Sequence, residues 1–275
     1  MQAALAPRRV PQRGSAADGA VDLACEVSGE RGRPVLLLIH GGTASRRAWD
    51  LVTPALRARH RIVAVDLRGH GQSPAPDSGY SASQLAADVA RVIEQLGLDA
   101  PTVVGHSLGG MTAICLAAQR PELVRRLVLL NVPAAPRAVD SLVGLEQRLR
   151  DPAFFPLTQA FVDEWCAHPH PLPADFVAAQ QAHVRALRPA VWRQVFGELV
   201  QVDLTPVLPS VRQPTLLLWG ARDGLLDASQ CERLRAGIAN ARRVVIDEAG
   251  HNPSSATPGR VAAEIAAFAL VGRVV

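Results

Sequence analysis

Six short apolar runs, each built on two to five consecutive Val, Leu, Ile or Ala residues, constrain this chain more than any other feature. They are PVLLLIH at 34 to 40, RIVAVD at 61 to 66, PTVVGH at 101 to 106, RLVLLN at 126 to 131, PTLLLWG at 214 to 220 and RVVID at 243 to 247. Runs this short and this apolar read as strands buried on both faces, which is how parallel strands look. Segments of helical period lie between them, among them SASQLAADVARVIEQLG, with Ser81 and Ser83 as cap candidates and Gly97 as its stop, and PGRVAAEIAAFAL near the end. Alternating strand and helix calls for an α/β fold: a mostly parallel sheet with right-handed crossovers and helices on both faces. VDLACEV, ahead of the first run, reads as part of an antiparallel entry hairpin.

The alternation stops after Asn131, and about 75 residues pass before VRQPTLLLWG resumes the sheet. Four amphipathic pieces, near 138 to 150, 157 to 167, 174 to 187 and 189 to 200, are separated by proline-rich joints such as HPHPLP. The expected organisation is a flexible N-terminal arm over 1–17, a core over 18–134 and 211–275, and an inserted helical cap, or lid, over 135–210. Phe154, Phe155, Phe161, Phe176 and Phe196 fall inside the insertion with Trp165 and Trp192. Trp192 and Phe196 are four residues apart and share a helical face.

Charge and cysteine usage exclude several function classes. Lysine and arginine total 29 against 25 acidic residues, and every one of the 29 is arginine. A Schiff-base enzyme and a phosphate-loop NTPase both need an ammonium group, so neither fits. The arginines are dispersed, which reads as solvated surface and not as a nucleic-acid patch. No run approaches the roughly 18 apolar residues of a membrane span, and no secretory signal is evident, so the expectation is a cytoplasmic protein with no membrane partner. Cys25, Cys115, Cys166 and Cys231 lack CxxC spacing and are expected to be free. No metal-ligand box appears.

The chemistry centres on VVGHSLGG at 103 to 110. A strand that passes straight into a helix must turn sharply at Ser107, in a strained conformation that flanking side chains would obstruct; Gly105, Gly109 and Gly110 relieve that crowding. Such a turn exposes the hydroxyl above the carboxyl ends of the strands. Serine is a weak nucleophile, so it requires a base and an acid that orients the base. His251 follows a strand and a glycine turn; Asp223 emerges directly after PTLLLWGAR, with Asp227 as its rival. His40, His70, His168 and His170 sit in loops or joints and read as structural.

In this order, HGG at 40 to 42, DLRGHGQS at 66 to 73, GHSLGG at 105 to 110, WGARDGLLD at 219 to 227 and GHNPSSATPGRV at 250 to 261 make the chain resemble the α/β-hydrolase superfamily over almost all of its length. The resemblance implies nucleophile, acid and base at Ser107, Asp223 and His251, and a structural turn around Asp66 and His70. The resemblance is to the serine branch, which takes in esterases, lactonases and haloperoxidase-like enzymes. Dehalogenases and epoxide hydrolases of this fold carry an aspartate at the elbow, and Ser107 argues against both.

An oxyanion needs donors already aimed at it. The amide of Leu108 is one; the second is expected from Gly42, with Thr43 as the fallback. Thr43, Trp165, Trp192, Phe196 and Leu225 are the expected substrate-pocket residues. The reading is a serine hydrolase for a carboxylic ester or lactone, a small-molecule substrate, with no metal or organic cofactor. A cofactor-free lyase, a carbon–carbon hydrolase or an acyltransferase would use the same triad, and a ligand-binding member of the fold is a further alternative. Arg185, Arg188 and Arg193 are candidates for recognising a substrate carboxylate.

Overall fold

A computed structural model of the chain describes residues 19–270, so the expected arm over 1–17 lies outside the described residues. Seven strands form one sheet: β1 (Cys25–Ser28), β2 (Val35–Ile39), β3 (Arg61–Val65), β4 (Thr102–His106), β5 (Arg126–Leu130), β6 (Thr215–Gly220) and β7 (Ala241–Ile246). Their spatial order is β1-β3-β2-β4-β5-β6-β7; only β1, paired with β3, is antiparallel. From β2 the chain first builds outward to β3 and then returns to the other side of β2 with β4. Strand order therefore reverses between β2 and β4, which pair Ile39 with Gly105, and a crevice opens at their carboxyl ends.

The strands are apolar throughout because both faces are covered. Along β2, Leu37 and Ile39 enter one core while Leu36 and Leu38 enter the other, as the two-residue period of a strand requires. One face is covered by α1 (Ala82–Gln95), which Ser81 caps by accepting from the Gln84 amide at 3.3 Å, and by α2 (Leu108–Gln119). The other is covered by Trp49, Val52 and α8 (Pro258–Leu270). Burying each Leu or Ile of these strands contributes about 1.5–3 kcal/mol.

β7 departs from the reading of RVVID as a strand buried on both faces. It has a neighbour on one side only, and Arg242, Arg243 and Val245 are exposed. An edge strand needs less cover, and arginines on it discourage pairing with another chain.

Between β5 and β6 run α3 (Asp140–Arg150), α4 (Gln159–Trp165), α5 (Ala174–Ala186) and α6 (Pro189–Leu199); α7 (Ala228–Gly237) follows β6. Among the described residues no helix is long and apolar enough to cross a membrane. The four cysteines are buried and form no disulfide, and burial pushes each thiol up to about 11.

Three buried histidines tie the loops at the crevice. His40 Nε2 accepts from the Leu67 amide at 2.9 Å, and its Nδ1 donates to the Gly41 carbonyl at 2.7 Å. His70 Nε2 accepts from the Thr43 amide at 3.2 Å, and its Nδ1 donates to the Arg68 carbonyl at 2.8 Å. His106 Nε2 donates to the His251 carbonyl at 2.7 Å. The accepting nitrogens of His40 and His70 require neutral rings. Burial, chiefly, lowers His40, His70 and His106 from the usual 6.5 to about 3. Below about pH 6.5 the unfolded chain takes up protons that the folded chain refuses until about pH 3. Their contribution is thus fully present above pH 6.5 and lost as the pH falls, by up to about 1.4 kcal/mol per pH unit for each ring. Urea midpoints should be flat between about pH 7 and 8 and fall steeply below about pH 6; midpoints that hold down to about pH 4 would contradict this assignment.

Candidate active site

Ser107 stands between β4 and α2 with φ +49° and ψ −118°, a region that costs an ordinary side chain about 1–3 kcal/mol. Its amide donates to the Leu130 carbonyl at 3.0 Å, fastening the strained turn to β5. The flanking glycines allow α2 to approach the sheet. A Cβ on Gly105 would fall 2.4 Å from the Gly109 carbonyl oxygen, and one on Gly109 would fall 2.4 Å from the carbonyl oxygens of Ile39 and His40.

Asp223 leaves the loop after β6 with its side chain 1% exposed. Oδ1 accepts from the amides of Leu225 and Leu226 at 2.8 and 3.0 Å. Oδ2 accepts from His251 Nδ1 at 2.8 Å and from Asn131 Nδ2 at 2.6 Å. Burial pushes this carboxyl upward, but the bond and charge of His251, with Asn131 and the Leu226 amide, outweigh burial and hold it below its ordinary value. An ionised Asp223 fixes the proton of His251 on Nδ1, which leaves the Nε2 lone pair as the basic position. Asp227 is elsewhere: exposed, it caps α7 by accepting from the Ser229 amide at 2.8 Å.

Two positioning residues escaped the sequence reading. Asn131 is fully buried at φ +42°; besides bonding Asp223, its Oδ1 accepts from the Gly220 amide at 3.0 Å. The legible signal was a polar residue closing the apolar run RLVLLN. His106, beside Ser107, holds the His251 carbonyl and packs its ring 5.0 Å from that of His251.

Ser107 and His251 line one cavity of about 770 Å³. Gly42, Thr43, Trp165, Phe196 and Leu225 line it as well. Leu108 opens α2, so its amide has no acceptor inside the helix. The Thr43 amide is engaged by His70, which leaves Gly42 as the donor the loop after β2 offers. Trp192 corrects the expected pocket set. It is 0% exposed and lies behind the wall, stacked on Phe196 at 5.7 Å and edge-on to Trp165 at 5.6 Å, so it supports the lining rings without joining them. The three candidate arginines also lie outside the cavity lining: Arg188 binds the Ala75 carbonyl and Asp77, Arg185 binds Gln159, and Arg193 sits over Phe155. Arg148, held over Phe154 and Phe161, lines the cavity instead.

Residues 34–255 match the family described as the alpha/beta hydrolase fold. The chain belongs to this family. It is 28% identical over 234 residues to a 2-(acetamidomethylene)succinate hydrolase of Mesorhizobium japonicum, covering 82% of this chain and 84% of that one. Among solved structures it is similar to an esterase from Rhodococcus (TM-score 0.83, 25% identity, 93% of this chain and 96% of that one). An enol-lactonase from Burkholderia xenovorans is similar too (TM-score 0.78, 25% identity, 90% and 96%). These relatives carry the names of different hydrolytic enzymes.

Asn131 supplies Asp223 with a hydrogen bond to a charged group, a contact of about 1.5–3 kcal/mol. Asn131→Ala should lower kcat for any substrate turned over by at least about tenfold with KM within about twofold, while Asp227→Asn changes kcat less than about twofold. The reverse pattern in steady-state kinetics would move the acid's role to Asp227.

Proposed function

We propose that the protein is a serine hydrolase that cleaves a carboxylic ester or lactone through an acyl-enzyme. One observation carries the reading: a serine on a strained strand-to-helix turn shares a cavity with a histidine whose Nδ1 is bonded to a buried carboxylate held ionised.

In the proposed reaction His251 Nε2 takes the Ser107 proton as Oγ attacks the substrate carbonyl. The carbonyl oxygen becomes an oxyanion held by the amides of Gly42 and Leu108, donors worth roughly 3–4 kcal/mol each in other enzymes. The imidazolium, stabilised by Asp223, gives its proton to the leaving alkoxide, which departs as the alcohol. Water then attacks the acyl-enzyme with His251 as base, releasing the acid and restoring Ser107. Every step moves a proton or an acyl group between these side chains, the substrate and water.

The helical segment 135–210 serves as the cap in this reading. Phe161, Trp165, Phe196 and Leu145 give it an apolar inner surface over Ser107, which suits an ester or lactone with a substantial apolar part. The names of the esterase and the enol-lactonase support this bond class.

Intact chain incubated with a fluorophosphonate should be labelled, and Ser107→Ala should abolish both labelling and turnover on an ester and lactone panel. Its melting temperature should be unchanged or slightly higher, because the substitution removes no core contact and relaxes no packing. Labelling that persists in Ser107→Ala would place the nucleophile elsewhere.

A further inference from the structure

The loop that presents Gly42 is held from outside the core. Thr43 has φ +61°, a left-handed conformation that a β-branched residue adopts only at a cost of about 1–3 kcal/mol, so its neighbours must impose it. One hold is the bond from its amide to His70, on the core side. The other comes from the inserted segment: Trp165 Nε1, 122 residues away, donates to Thr43 Oγ1 at 2.8 Å. The residues on either side are engaged by the same segment. His183 of α5 lies against the backbone of Ala44, and Val195 of α6 lies beside Gly42, where a Cβ on the glycine would stand 3.8 Å from Cγ1.

Trp165 itself has little freedom. Its ring stacks on Phe161 at 5.7 Å and meets Trp192 edge-on at 5.6 Å and Phe196 at 6.1 Å. The position of its N–H is thus set by the aromatic core of the inserted segment. The ring lines the cavity, yet its one polar atom is bonded to the loop.

We propose that Trp165 is a positioning residue: acting through Thr43, it sets the angle at which the Gly42 amide meets the oxyanion, so the helical segment completes the oxyanion hole as well as roofing it. The inference rests on the acyl-transfer reading above. A donor to an oxyanion matters most in the transition state, where negative charge develops on the carbonyl oxygen, and much less to the neutral ester. Loosening the loop therefore acts on kcat and leaves KM nearly alone. It follows that the hydrolase is fully competent only with the segment docked.

The test uses the full chain with 4-nitrophenyl acetate, too small to need the apolar wall. Trp165→Phe keeps an aromatic ring in the cluster and removes only the donor. It should lower kcat by at least about tenfold with KM within about twofold, and slow fluorophosphonate labelling in parallel. Thr43→Val removes the acceptor while keeping the β-branch and should reproduce the loss; it reads the same bond from the other side if Trp165→Phe does not fold. Because one bond has two ends, the double variant should be no worse than the poorer single variant within about twofold. A kcat for Trp165→Phe within about twofold of wild type, or single losses that multiply in the double variant, would overturn the role given to Trp165. A wild-type chain that neither hydrolyses the ester nor takes the label would instead overturn the acyl-transfer reading beneath it.

Discussion

The Asp223 carboxylate is the buried charge around which the ends of three strands are arranged. An ionised group out of water costs several kcal/mol unless its lone pairs are filled, and here four donors fill them. Two are amides of its own loop after β6; one is Asn131 at the end of β5; one is His251 in the loop after β7. Satisfying the charge fixes the relative positions of these loops, and it also fixes the tautomer of His251. The orientation of the His251 imidazole is thus a by-product of solvating the Asp223 carboxylate.

The opposite side of the crevice is organised by neutral rings. His40 and His70 each accept from one backbone amide and donate to one carbonyl, which only an uncharged imidazole does. Through His70 the turn after β3 holds Thr43, and through His106 the strand under Ser107 holds His251. The strain at Ser107 and Thr43 persists because neighbouring elements hold both turns: the Ser107 amide is bonded to the Leu130 carbonyl, and Thr43 is bonded to His70 on the core side and to Trp165 of the inserted segment. The same burial that makes the site rigid makes it sensitive to acid.

Much of this was legible in the sequence because the fold relates position along the chain to position in space. A residue that follows an apolar strand lies at a carboxyl end, so Ser107, Asp223 and His251 were readable as neighbours without knowing strand order. Asn131 and His106 were not: their partners, Asp223 and the His251 carbonyl, lie 92 and 145 residues away, and their roles depend on which strands pair. Periodicity placed Trp192 and Phe196 side by side, and they stack; which of the two meets the cavity depends on how α4 and α6 pack, and periodicity carries no such information. The exposed faces of β7 were hidden for a similar reason, since an apolar run does not say whether a further strand or helix will cover it.

In the proposed reaction Ser107 holds the acyl group between two half-reactions. The most direct measurement is mass spectrometry of the chain quenched in acid during turnover of an ester whose acyl group is released slowly. The expected result is a mass increase equal to the acyl group, located by peptide mapping on Ser107 and absent from Ser107→Ala. Turnover of the ester with no acylated peptide, or with the acyl group on another residue, would contradict it.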